Sequence, residues 1–252
     1  MRPLLHPSKE DGKHKLRRWG RWTYVGSLCV QVVALVLSLV AIGMFSSSGG
    51  SRILHQALVI ECVVNVLQLT WYLAAPSATG DNSSLRAGPF SSSLQMPAAR
   101  TRYIDWALTT PLMIISLVAA SEHFLQTDVQ SLGDLFGKYG LELFVALTGN
   151  AAMLLFGLIA TYIPNPTKSY AIWAGFVPLA QVWVTLIWTF AVGSSSGRVW
   201  ALYVSTVVLW TMYGVVAHGN EEWRAIGFNV LDTLSKNVFG IIFSVISIRA
   251  SQ

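Results

Sequence analysis

Seven stretches of this chain, near residues 22–46, 53–75, 102–121, 140–163, 170–193, 198–218 and 225–248, are predominantly apolar. Each approaches the roughly 20 residues that an α-helix needs to cross the hydrocarbon core of a bilayer. The breaks between them have turn and loop compositions: SSSGGS at 46–51, PSATGDNSS at 76–84, PNP at 164–166, GSSSG at 193–197 and HGN at 218–220. The expected fold is therefore all-α, a multi-pass membrane bundle of seven transmembrane helices spanning 22–249. Only 12% of the residues are charged, about half the share usual in soluble domains. Residues 1–21 hold seven Lys/Arg without a long apolar core and read as a basic tail or surface helix, not a cleavable signal. Cys29 and Cys62 fall in apolar stretches, as small packing residues do.

Against this apolar background, the ionisable residues inside the spans are the candidates for function, because a charge at mid-membrane depth persists only if it is paired, modified or lining a polar path. Lys236 lies in the seventh stretch with Asp232 one helical turn before it. In the third stretch Arg102 and Asp105 are three residues apart, and Asp105 and Thr109 four, so all three share one helix face. Two cations and two anions result, which a low-dielectric interior tolerates if the two faces meet. A purely structural set of ion pairs is the plainer alternative.

The third stretch reads Arg102-Tyr103-Ile104-Asp105-Trp106 and Thr109-Thr110-Pro111-Leu112, and the last carries Asp232 four residues before Lys236. In these motifs, and through nearly all seven spans, the chain resembles the microbial (type I) rhodopsins. The resemblance implies all-trans retinal bound to Lys236 as a protonated Schiff base. It makes Asp105 and Asp232 the counterions, Asp105 the first proton acceptor and Arg102 a switchable cation. It also implies a retinal pocket of Trp106, Thr110, Asn150, Met153, Gly157, Trp173, Trp210 and Tyr213. Gly214 and Ala217 stand where many relatives have proline and tryptophan. Chemically, a Schiff base beside two carboxylates keeps its proton because the negative charge favours its cationic form. The Thr109 hydroxyl is within reach of the Asp105 carboxylate and is expected to hold its geometry.

Pumps of this family commonly carry an acid eleven residues after the acceptor, about 16 Å further along the same helix. Here that position is Ser116, which cannot serve as a matched proton donor. Glu61, Asn65 and Gln68, at i, i+4 and i+7 of the second stretch, form a polar stripe expected to face the interior. Glu61 is the candidate replacement donor. The stripe, with Asn237 after the lysine, is also similar to the polar path of channel-forming relatives, and equally reads as interhelical glue. Glu221 and Glu222 in the last loop are weak candidates for proton release, and Arg224 occupies a nearby position where relatives often have an acid.

The leading reading is an outward, light-driven proton transporter. The alternatives are a light-gated cation or proton channel, and a photosensor signalling to a separate partner. Retinal, protons or small cations and the lipid bilayer are the expected partners, with homo-oligomerisation left open. No metal constellation, nucleophile motif or phosphate loop supports an enzyme or a nucleic-acid binder. The positive-inside rule places the basic N-terminus in the cytoplasm, whereas the family resemblance places it outside; the order Arg102 then Asp105 favours the family's orientation.

Overall fold

A backbone in lipid must satisfy its own hydrogen bonds, and every spanning segment of this chain does so as a helix. The computed structural model describes residues 9–46, 51–74 and 98–250. Helices α1 (Lys9–Ser46), α2 (Arg52–Ala74), α3 (Ala98–Leu125), α4 (Leu132–Ile159), α5 (Thr167–Phe190) and α6 (Gly197–Ala217) are followed by a composite span. That span runs through α7 (Glu221–Asp232), a π-helical turn (Thr233–Val238) and α8 (Phe239–Ala250). Seven segments among the described residues are long and apolar enough to cross a membrane, as the sequence predicts. Most of the expected turns at 46–51 and 76–84 lies outside the described residues.

Sequential helices pack side by side from α1 to α7, and α1 also lies against α7 and α8, which closes the bundle. Helix α3 touches α2, α4, α5 and α6 and is the central element. In its most apolar window 67% of residues are buried, against 28% in α1. Exposed Val32, Val36, Leu39 and Val40 show the outer face of α1 to be apolar, the inverse of a soluble bundle and the surface that lipid covers.

Several boundaries differ from hydropathy. Helix α4 begins at Leu132, not near 140, because Ser131 caps it by accepting from the Asp134 N–H. The charged residues Asp134, Lys138 and Glu142 in its first turns hid that start. It ends at Ile159, ahead of Pro164 and Pro166. The basic stretch from Lys9 onward is helical and continuous with α1.

Between α1, α2 and the composite span runs a buried polar seam. Asn237 Nδ2 donates to Asn65 Oδ1 at 3.2 Å and to Gln68 Oε1 at 3.1 Å. Asn65 Nδ2 reaches Ser38 Oγ at 3.4 Å, and Ser38 pairs with Ser244 at 3.2 Å. Ser38 and Ser244 extend the stripe beyond its sequence-visible members, since a serine in an apolar helix carries no pattern of its own. Interhelical hydrogen bonds in membranes average about 0.6 kcal/mol, so a double-mutant cycle between Asn65→Val and Asn237→Val is expected to return a coupling of that order in detergent unfolding. Strict additivity would show that the seam holds nothing together.

Candidate functional site

Residues of α2, α3, α7 and the π-helical turn meet at the bundle centre. Lys236 is 1% exposed, and its Nζ lies 2.7 Å from Asp105 Oδ2 and 3.7 Å from Asp232 Oδ1. The π-helical turn places Lys236, Ser235 and Asn237 all in the interior, where a regular α-turn would spread three consecutive residues around the helix. Such widened turns frequently occur at functional sites.

Asp232 is held from every side. Its Oδ1 accepts from Tyr213 OH at 2.8 Å and Trp106 Nε1 at 3.1 Å. Its Oδ2 accepts from Arg102 at 2.7 Å and Tyr72 OH at 3.4 Å. Asp105 is different: Oδ2 receives Lys236, whereas buried Oδ1 has no hydrogen-bond partner. One carboxylate is thus fixed and the other keeps an oxygen free to accept. Arg102 also donates to Asn229 Oδ1, and its guanidinium lies 5.0 Å from the Trp71 ring centroid.

Tyr72 and Asn229 belong to this site although neither was singled out from sequence. The signal existed: Tyr72 continues the Glu61, Asn65, Gln68 stripe by one more turn, and Asn229 lies three residues before Asp232. Ser27 on α1 supports them, donating to the Asn229 carbonyl at 3.0 Å.

From Lys236 an apolar cavity extends between α3, α4, α5 and α6. Trp106, Thr110, Met153, Gly157, Trp210 and Tyr213 line it. Gly157 has a reason to be glycine, because a Cβ there would stand 2.7 Å from the Tyr103 hydroxyl. Gly214 and Ala217 also line the cavity, with the Phe176 ring against Gly214. Asn150 is not part of the lining; it donates to Thr110 Oγ1 at 2.8 Å from behind.

Two expectations are corrected. Trp173 is 61% exposed and outside the cavity; the inward face of α5 is Ile172, Phe176 and Leu179, at i, i+4 and i+7, and Trp173 is turned away from it. Thr109 does not hold the Asp105 carboxylate, because its hydroxyl donates to the Asp105 backbone carbonyl at 2.8 Å. Thr110 does the same to Trp106 at 2.7 Å. These bonds lie beside Pro111, whose missing N–H loosens this part of the helix ladder.

On the side of Lys236 away from Arg102, Ser116 Oγ donates to Glu61 Oε1, and the second Glu61 oxygen is buried without a partner. Glu61 of α2 and Ser116 of α3 therefore meet in the interior. Glu221 is exposed, and Arg224 lies 3.9 Å from it; the Glu222 side chain is outside the described residues.

The sequence-family model for bacteriorhodopsin-like proteins matches residues 24–249. The chain belongs to that family. Among curated relatives it is 26% identical over 238 residues to Protein FDD123 of Trametes versicolor, covering 89% of this chain and 70% of that one. It is 31% identical over 154 residues to halorhodopsin of Halobacterium salinarum, covering 56% and 52%. The chain thus spans about half the length of several curated relatives. Solved structures with the same fold include viral rhodopsin OLPVRII, with TM-score 0.70, 22% identity and coverage of 90% and 96%. Another is xanthorhodopsin, described as a light-driven ion pump with dual chromophore, with TM-score 0.69, 16% identity and coverage of 94% and 95%. Proteins of this family carry retinal, and its pumps move ions across membranes.

The charge balance of the centre makes a testable demand. Arg102→Gln leaves two carboxylates against one amine and is expected to cost about 3 kcal/mol of stability, as breaking a buried pair does. Adding Asp232→Asn restores neutrality and is expected to recover most of that loss in detergent unfolding. A double variant no more stable than Arg102→Gln would show that net charge is not what the site balances.

Proposed function

We propose that this protein is a light-driven outward proton transporter whose transfer step runs from Lys236 Nζ to Asp105. The observation that carries this reading is the 2.7 Å contact between Nζ and Asp105 Oδ2 beside an apolar cavity that Lys236 lines. The cavity's lining suits a polyene: it is walled by Trp106, Trp210, Tyr213 and Phe176 and includes the buried Lys236. Lys138 and Lys168, the other lysines on described spans with described side chains, are more exposed than Lys236 and lie near helix starts. Retinal attached covalently to Nζ would supply visible absorption and a light-driven change of shape that reorients the N–H bond.

The protein's own groups do the rest. Asp105 holds the proton-bearing Nζ at rest, and its unpartnered Oδ1 is the acceptor position once Nζ turns. Asp232, with four donors around its two oxygens, remains the fixed negative charge. Arg102 lies on the release side and shifts between the carboxylates as their charge changes. Ser116 replaces the usual internal acid, and Glu61, taking the Ser116 hydroxyl, supplies the returning proton from α2. With the Arg102 end outside, the net movement is outward.

A second reading, a light-gated proton or cation channel, is favoured by the polar seam. Gln68 Nε2, Asn237 Oδ1, both side-chain atoms of Gln31 and Ser247 Oγ are buried without partners, as groups along a hydratable path would be.

Voltage-clamp recording of photocurrents separates the two. An outward current across the voltage range is expected; a current that reverses sign with voltage would establish a channel. Lys236→Ala purified with retinal is expected to be colourless, and visible absorbance in that variant would overturn the site. Asp105→Asn is expected to absorb at longer wavelength, because a localised counterion stabilises the resting charge more than the delocalised excited one. An unchanged spectrum would make Asp232 the sole counterion.

A further inference from the structure

Glu122 takes no part in the site described above, yet it is a carboxyl group buried to 1% exposure near the α3 end opposite Arg102. One oxygen accepts the Thr127 hydroxyl at 2.6 Å; the other has no partner. It forms no ion pair among the described residues, and Lys138, which neighbours Tyr139, is engaged by Asp128 at 2.6 Å. The surrounding groups are hydroxyls. Tyr139 and Tyr203, from α4 and α6, lie close enough to interact electrostatically with Glu122. Ser121 donates to the Leu117 carbonyl at 2.8 Å and also reaches Tyr203 OH at 3.2 Å, and both Ser121 and Tyr203 are fully buried.

Tyr203 begins a buried line along α6. Tyr203, Thr206 and Trp210 lie at i, i+3 and i+7, on one inward face. Thr206, whose hydroxyl donates to the Leu202 carbonyl at 2.7 Å, and Trp210 border a small cavity with Trp183 and Ser235, with room for about one water molecule. The indole N–H groups of Trp183 and Trp210 are both buried and unpartnered there. Ser235, which precedes Lys236, lines this cavity and the main one. This line runs along α6, whereas Glu61 and Ser116 join α2 to α3.

We propose that Glu122 is a second proton-donating acid, heading a hydroxyl file through Ser121, Tyr203 and Thr206 to the cavity beside Ser235 and Lys236. This rests on the proton-transport reading. A proton from solvent adds to a Glu122 carboxylate oxygen. The neutral acid releases it inward, the Ser121 and Thr206 hydroxyls turning from their backbone carbonyls and each hydroxyl or water on the file accepting one proton and passing another on. The last step places a proton on Nζ, Asp105 having already taken the earlier one, and Glu122 is again a carboxylate.

Glu122→Gln tests this, since the amide oxygen still accepts from Thr127 while the proton-carrying oxygen is gone. After a flash, return of the proton to Nζ, followed by absorbance, is expected to slow about tenfold, less than full loss of a general acid because the Glu61 route remains. Slowing is expected also in the Glu61→Gln background, azide is expected to restore the rate, and the dark thermal midpoint is expected to be unchanged. An unaltered rate in both backgrounds, or slowing that azide leaves in place together with a lowered midpoint, would make Glu122 a structural tether and overturn the proposal. Wild-type protein in which Nζ never loses its proton after a flash would overturn this proposal and the transport reading together.

Discussion

Everything else in this bundle is arranged around the need to keep four charges in a membrane interior. Taking an ion out of water costs several kcal/mol even after relaxation. Lys236, Arg102, Asp105 and Asp232 are therefore stable only as a neutral set with their remaining polar atoms satisfied. The structure meets that demand unevenly. Asp232 carries donors on both oxygens from Tyr213, Trp106, Arg102 and Tyr72, whereas Asp105 is tied through a single oxygen to Lys236. On the proposed function, this asymmetry gives the two carboxylates different work: one holds the field constant, and the other is poised for change.

The same constraint divides the bundle lengthwise. Around Arg102 the polar groups are mutually satisfied through Tyr72, Asn229 and Ser27. Beyond Lys236 many polar atoms are unpartnered, among them Glu61 Oε2, Gln68 Nε2, Glu122 Oε1 and the Trp183 and Trp210 indoles. Groups left incomplete in a low-dielectric interior are costly unless water joins them. The half away from Arg102 is thus suited to transient hydration, which is what return of a proton, or opening of a conduction path, requires.

The fold was legible because lipid imposes a simple code: apolar runs of spanning length, broken by Ser, Gly, Pro and Asn. The helix ends were less so, since charged first turns such as those of α4 lie at the membrane surface and lower the hydropathy of a true helix. At the site, Lys236, Asp232, Asp105 and Arg102 stand out because charge is rare in the spans. Side-chain direction does not stand out: Trp173 looks like Trp210 in a string of letters, and only packing turns the first outward and the second inward. Thr109 was misread for a related reason, because a helix hydroxyl chooses its own backbone carbonyl over a neighbouring carboxylate when both are in reach. Glu122 carries no signal in the sequence, because an acid near a helix end is ordinarily solvated.

The central claim is that Asp105 takes the proton that leaves Lys236 Nζ. Light-minus-dark infrared spectroscopy of the retinal-loaded protein measures this directly, through the carbonyl stretch of a carboxyl group that gains a proton. A positive carboxylic-acid band is expected, shifted by deuterated water, that rises as Nζ loses its proton and moves when aspartate alone is isotope-labelled with ¹³C at its carboxyl carbon. A proton lost from Nζ with no such aspartate band would contradict it.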